Sequence, residues 1–259
     1  MSVAFLCREG PVARYIAHAL HARGRLDVIV VERGRGARRR KLEREWARTA
    51  WWRAPLFALD LVALAAYGRL WARHVATEMK LDPALAGFPV GIPVHVVEDA
   101  NDAGCLRVLT EAEPDVLVVL GTSILGPPIL DVPKEVALNI HGGIVPRYRN
   151  VHSEVWAVLD DDLDNVGTSI LHLGEGIDRG AIALQGRVKG ARTFLALRWL
   201  NVELSARLIC DALDRHEAGT LPREAQDSTQ AGFYRTPGFR DLLRLSHTRL
   251  PPRADDSVA

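Results

Sequence analysis

The stretch that decides the fold runs from Glu135 to Gln185: EVALNIHGGIVPRYRNVHSEVWAVLDDDLDNVGTSILHLGEGIDRGAIALQ. An apolar run, Val136-Ala137-Leu138, leads straight into Asn139-Ile140-His141, and Gly142-Gly143 follow at once. In a strand, residues two apart share a face, so Asn139 and His141 project together. Two polar side chains at the end of a buried strand are costly unless hydrogen-bonded or used. The glycine pair lets the backbone turn sharply and approach a ligand closely.

Working outward, the amino terminus repeats the strand-and-turn pattern. Val3 to Cys7 reads as a buried strand, Arg8-Glu9-Gly10-Pro11 as a turn, Val12 to Ala22 as a helix and Leu26 to Val31 as the next strand. That order opens a parallel α/β sheet. The turn is not GxGxxG, which removes a dinucleotide fingerprint. Pro93 to Val97 and Asp115 to Leu120 are further strands, with a helix between them that Asn101 or Asp102 can cap. Ligands of open parallel sheets sit beyond the carboxyl ends of the strands. Gly121-Thr122-Ser123-Ile124-Leu125 would therefore share a rim with Asn139 and His141 if both strands are parallel neighbours. Strands at Val166 to Leu173 and Ala181 to Arg187 flank the glycine-rich loop Gly174 to Gly180. A helix from Thr193 to about His216 follows. A short helix is expected near Phe239 to Leu245, and the residues from Pro251 read as a disordered tail.

Composition narrows the function classes. The chain has 259 residues, nearly half of them hydrophobic, and a formal net charge of +1. That charge gives no global pull toward nucleic acid or an acidic membrane. Cys7, Cys105 and Cys210 form no CxxC pair, which argues against a disulfide framework or zinc cluster and fits a cytoplasmic, reducing setting. No signal-peptide pattern opens the chain. The apolar run Ala54 to Tyr67, interrupted by Asp60, is read as too short for a bilayer span. The arginine run within Gly34 to Thr49 is read as a solvated, helical insertion rather than a nucleic-acid patch. Trp51, Trp52, Phe57 and Trp71 are read as a packing face. A peripheral membrane contact of residues 34–74 is compatible with this composition, and so is a homodimer.

Asn139, His141 and Asp178 are the candidate chemical groups. A histidine beside a carboxylate can be oriented for proton transfer, and an asparagine amide can donate to a developing oxyanion. No serine or cysteine stands at a strained elbow, so direct transfer between two bound partners fits better than a covalent acyl-enzyme. His152, next to this loop, is a candidate substrate contact. His141, His152 and Glu154 match no defensible metal-ligand spacing, and no metal is expected.

With these residues in place the chain resembles the folate-dependent formyltransferases, the group containing glycinamide ribonucleotide, methionyl-tRNA and sugar N-formyltransferases. The resemblance rests on Asn139-Ile140-His141, Gly142 to Pro146, Tyr148-Arg149, Trp156 to Val158, Gly167 to Ile170 and Glu175 to Gly180. It covers about residues 93–190, with a looser match at 3–31. This chain departs from the family at three points: the Arg- and Trp-rich insertion Gly34 to His74 has no counterpart there, and two motif positions differ. The family often has Ser-Leu-Leu-Pro where Gly143-Ile144-Val145-Pro146 stand, and glycine at Asn150.

The resemblance implies a Rossmann-like, open, mainly parallel sheet with helices on both faces. A catalytic domain would span 1–190, with a helical insertion at about 34–80, and a C-terminal helix and extension would span 191–259. It implies N10-formyltetrahydrofolate as donor and a small amine as acceptor, with an amino sugar, in this family often nucleotide-linked, expected first. Composition, not the resemblance, sets the expectation of no nucleic-acid partner and no stable membrane span. Asn139 and His141 would stabilise the oxyanion while Asp178 orients His141. The pterin would rest on Gly121 to Leu125, on Gly143, Ile144, Val145 and Pro146, and on Gly174, Glu175, Gly176 and Ile177. Arg149, His152 and Trp156 would face the acceptor. A formyltetrahydrofolate hydrolase, a methionyl-tRNA formyltransferase-like enzyme and a catalytically silent folate-binding protein are the alternatives.

Overall fold

The computed structural model describes residues 1–34, 46, 51–78, 83–174, 176–189, 191 and 193–250. Most of the arginine run, Glu175 and the tail from Pro251 lie outside the described residues. So do the expectations made for them.

Seven strands form one sheet: β1 (Val3–Arg8), β2 (Leu26–Glu32), β3 (Val94–Val97), β4 (Val116–Leu120), β5 (Val136–His141), β7 (Gly167–His172) and β8 (Ile182–Arg187). Their spatial order is β3-β2-β1-β4-β5-β7-β8. The first five are mutually parallel, and β7 then runs antiparallel to both neighbours. A separate pair joins β6 (Arg149–Asn150) to β9 (Phe233–Tyr234).

The near-continuous apolar run of β1 is explained by burial on both faces. Val3, Phe5 and Cys7 pack with Ile16 and Leu20 of α1 (Pro11–His21) and with Ile209 and Leu213 of the long C-terminal helix Phe194–Glu217. Ala4 and Leu6 pack on the opposite face with Cys105 and Leu109 of the helix Ala103–Ala112. Pro11 starts α1 at a position where its missing N–H costs nothing. Asp102 caps the Ala103–Ala112 helix by accepting from the Cys105 backbone N at 2.7 Å. Thr193 does the same for the C-terminal helix through Ala196 N at 3.2 Å. In chain order the helices are α2 (Ala54–Glu78), α3 (Ala103–Ala112), α4 (Pro127–Leu130), α5 (Ser153–Leu159), α6 (Phe194–Glu217) and α7 (Phe239–His247).

Two sequence expectations need correction. The apolar run around Ala54 to Tyr67 is only part of a continuous 28-residue helical stretch, Trp51–Glu78. By length and composition that stretch is long and apolar enough to cross a membrane, and just 6% of its most apolar window is buried in the protein. The tryptophans also divide. Trp71 packs with Val75, Trp199 and Val202, whereas Trp51 and Trp52 are 86% and 63% exposed. Helical periodicity places Trp71 on the inward side of α2, but Trp51 and Trp52 precede that helix and meet no such surface.

All three cysteines are free and buried. Burial pushes the Cys105 thiol up to about 12, helped by the nearby Asp102 and Glu32 carboxylates. It raises the Cys7 and Cys210 thiols as well. Only thiolates react readily with disulfide reagents. Native protein is therefore expected to leave all three unmodified by a chromogenic disulfide at neutral pH, with full reaction after denaturation. Fast labelling of the native state would contradict this packing.

Candidate active site

β5 delivers the first two groups. Leu138 and Ile140 point into the cluster formed with α1 and α6, so the alternate residues Asn139 and His141 project from the opposite face. Asp178 arrives from the loop between β7 and β8. Its carboxylate gathers three partners. Asn139 Nδ2 donates to Oδ1 at 3.3 Å, the Asn150 backbone N donates to Oδ2 at 2.8 Å, and His141 Nδ1 stands 3.4 Å from Oδ2. The His141 and Asp178 side chains are 7% and 11% exposed, so these contacts are largely shielded from water.

His141 is held at both ends. Its Nε2 lies 2.8 Å from the Tyr148 carbonyl oxygen, which can only accept, so that nitrogen carries a hydrogen. Nδ1 faces the Asp178 carboxylate, a second acceptor. Tyr148 itself is fully buried, and burial pushes its phenol well above the ordinary range. Its hydroxyl donates to Asp162 at 2.9 Å, and Arg147 pairs with the same carboxylate.

Three residues around this cluster adopt left-handed backbone: Asn150 at φ 79°, His152 at 56° and Asp178 at 50°. Asn, His and Asp are the side-chain types that tolerate that region best. The asparagine at position 150, where the family often has glycine, is thereby accounted for. Its side chain also donates to the Tyr234 carbonyl at 2.7 Å, linking the loop to β9.

The other motif departure has a steric explanation. A Cβ added at Gly143 would meet the Ser153 side chain, with its Oγ at 2.6 Å, and His141 Nε2 at 2.7 Å. Ser153 fills the space that a residue-143 side chain would need, and its Oγ donates to the Tyr148 carbonyl at 3.2 Å. The Gly143–Pro146 segment is pinned from β7 and β8. Ser169 Oγ donates to the Gly143 carbonyl at 2.6 Å and accepts from Val145 N at 3.2 Å, while Gln185 donates to the Val145 carbonyl at 2.8 Å.

The predicted rim is where parallel pairing puts it. Val119 of β4 lies opposite Asn139, so Gly121 to Leu125 leaves the sheet at the same carboxyl edge. Sequence reasoning assigned no role to Glu32, which organises this loop. Fully buried at the end of β2, it accepts from Ser123 N at 2.9 Å, Ser123 Oγ at 2.6 Å and Ala100 N at 3.2 Å, and pairs with Arg8 at 3.0 Å. A lone acid closing an apolar strand was the available signal. Gln226, also given no role, donates to the carbonyls of Asp178 and Gly180 at 2.8 and 2.7 Å. No local pattern marks it.

The expected acceptor contacts are more scattered. His152 meets the Tyr67 ring of α2 at 6.1 Å between centroids. Trp156 stacks on Tyr234 and donates from its indole to the Arg235 carbonyl at 2.8 Å. Arg149 sits in β6, its Nε 3.4 Å from the Gly232 carbonyl. Within the Gly174–Ile177 loop, Gly176 takes a φ of 90° that favours glycine. The donor set fits a formyl-bearing folate: an amide, an imidazole and a carboxylate meet between two backbone-rich loops.

Residues 90–191 match the formyl transferase family model. The chain is 34% identical over 139 residues to the methionyl-tRNA formyltransferase of Methylacidiphilum infernorum, an alignment covering 52% of this chain and 43% of that protein. It spans about half the length of the curated relatives it matches. Among solved structures, a sugar N-formyltransferase from a Shewanella species superposes with a TM-score of 0.57 at 14% identity, covering 95% of this chain and 88% of that one. The N-formyltransferase from Helicobacter canadensis, solved in complex with folinic acid and dTDP-3-aminofucose, superposes with a TM-score of 0.55 at 12% identity, covering 90% and 71%. At such identities the likeness is one of fold. Through residues 90–191 this chain is similar to the formyl transferase family, and the architecture around that segment has the same fold.

Proposed function

We propose that this protein moves a formyl group from N10-formyltetrahydrofolate to the amine of a small acceptor, an amino sugar in first place. The observation that carries the reading is the convergence of Asn139, His141 and the Asn150 backbone N on one carboxylate, Asp178. When bound, the folate supplies a formyl carbon open to attack by an uncharged amine. The residues then divide the work. Asn139 has two amide hydrogens and spends one on Asp178, so the second can donate to the formyl oxygen as negative charge develops there. His141 keeps its Nε2–H on the Tyr148 carbonyl, so a proton on Nδ1, the nitrogen that faces Asp178, is what it would offer the same oxygen. Asp178 accepts the proton that the amine loses as the new C–N bond forms, and releases it toward N10 as the old C–N bond breaks. The loops Gly121 to Leu125, Gly143 to Pro146 and Gly174 to Ile177 offer backbone groups and apolar walls for the pterin.

A net charge of +1 offers little electrostatic pull on tRNA, which supports a small acceptor over an RNA. Water in place of the amine would make the same site a hydrolase, and a silent binder would retain folate without turnover.

His141→Ala and Asp178→Asn are each expected to lower formyl transfer by about 10²- to 10⁴-fold, and Asn139→Ala by about 10²- to 10³-fold, with circular dichroism unchanged. Near-normal turnover in the first two variants would remove the proposed chemistry. A panel of amino sugars, small amines and charged initiator tRNA, incubated with the formyl donor and read by mass spectrometry, tests the acceptor. Product on tRNA alone would displace the amino-sugar assignment, and formate release without any acceptor would show hydrolysis.

The steric reading of Gly143 has its own test. Gly143→Ser is expected to cost roughly 1–3 kcal/mol by overpacking. Urea denaturation should show part of that cost recovered in the Gly143→Ser, Ser153→Gly double variant. Strictly additive effects would mean that the two positions do not share space.

A further inference from the structure

Helix α2 carries an apolar surface with no counterpart in the site chemistry. Leu56, Leu59 and Leu61 are each 40% exposed and Val62 is 65% exposed. Ala58, Ala65 and Ala66, also exposed, fill the intervening surface. The one acid between Trp51 and Thr77 is Asp60, and it is turned inward, accepting from the Phe239 backbone N at the start of α7 at 2.6 Å. The outward face of the first half of α2 is therefore free of charge. At its start Trp51 and Trp52 stand in solvent, with the Arg53 guanidinium 5.0 Å over the Trp52 ring. Arg69 and Arg73 are exposed toward its other end.

The sequence leading into this helix, GRGARRRKLEREWARTAWWR (34–53), has Glu43 and Glu45 as its only acids among many arginines. An exposed apolar helix face bordered by tryptophans and a dense cationic run has the composition of an interfacial helix. Exposed contiguous apolar surface of this kind marks an interaction site. A second copy of the chain is a poorer occupant, because a two-fold contact on this face would set the exposed Arg53, Arg69 and Arg73 of one copy against those of the other. Nucleic acid would pair with the arginines but leave Leu59 and Val62 in water. An anionic bilayer satisfies both features.

The opposite side of α2 decides between lying on a membrane and crossing it. Tyr67 accepts from Arg198 at 2.7 Å, and Trp71 and Val75 are buried against Trp199 and Val202 of α6. A spanning helix would have to tear these contacts out of the domain. We propose that α2 docks the protein peripherally on an anionic bilayer, with Leu59 and Val62 at the acyl boundary and the exposed Arg53, Arg69 and Arg73 among the headgroups.

The test is flotation of the full chain with vesicles of phosphatidylcholine alone or mixed with phosphatidylglycerol. Binding is expected to the mixed vesicles, weakened by salt, with brominated acyl chains quenching tryptophan fluorescence. Leu59→Asp with Val62→Asp should weaken binding by about tenfold or more while leaving the circular dichroism spectrum and melting temperature unchanged. Trp51→Ala with Trp52→Ala, at positions without buried contacts, should act in the same direction. The proposal is overturned if the protein floats with neither vesicle, or if both double variants bind as the parent does. It is equally overturned if light scattering shows a dimer that the aspartates dissociate, or if tRNA binds and strips the protein from the vesicles.

Discussion

The carboxylate of Asp178 is the point on which the site depends. It lies among groups from β5, from the loop ending in β6 and, through its own backbone, from the C-terminal extension. Holding Asn150, His152 and Asp178 in left-handed backbone costs on the order of 1 kcal/mol each. Hydrogen bonds to a charged group are worth about 1.5–3 kcal/mol each, so the Asn139 and Asn150 contacts offset much of that cost. Geometry and energy are thus tied together: the strained loop persists because the carboxylate is satisfied, and the carboxylate is placed because the loop is strained.

Support for this arrangement comes from the sheet. Parallel pairing of β4 with β5 sets the Gly121 to Leu125 loop beside Asn139, and antiparallel pairing of β5 with β7 sets Ser169 opposite His141. Ser169 and Gln185 then fix the Gly143 to Pro146 segment from the far side. Glu32 performs the matching task on the near side, where a buried carboxylate is tolerable because Arg8 and three donors surround it. Two loops are thus anchored by buried polar groups.

The C-terminal segments are bound into the same structure. α6 contributes Ile209 and Leu213 to the cluster that holds β1, Gln226 caps the Asp178 loop, and α7 begins where Asp60 of α2 meets Phe239. α2 consequently has an inner side committed to the domain and an outer side that is not.

Much of this was legible in residue order alone. Unbroken apolar runs located β1 and β4, and 3.6-fold periodicity located α1 and α6, to within a residue or two, because those elements are buried continuously enough for the pattern to survive. Asn139 and His141 were identifiable because strand alternation is local, and Asp178 because it belongs to an ordered series of motifs. Contacts between residues distant in the chain were not legible. Glu32 to Ser123, Gln226 to Asp178 and Ser153 to Gly143 depend on which loops the sheet order brings together, and no local period encodes that. The exposure of Trp51 and Trp52 was likewise a tertiary decision. Composition marks a tryptophan as apolar, but only the packing of α2 against α6 determined that Trp71 would be covered and the other two would face outward.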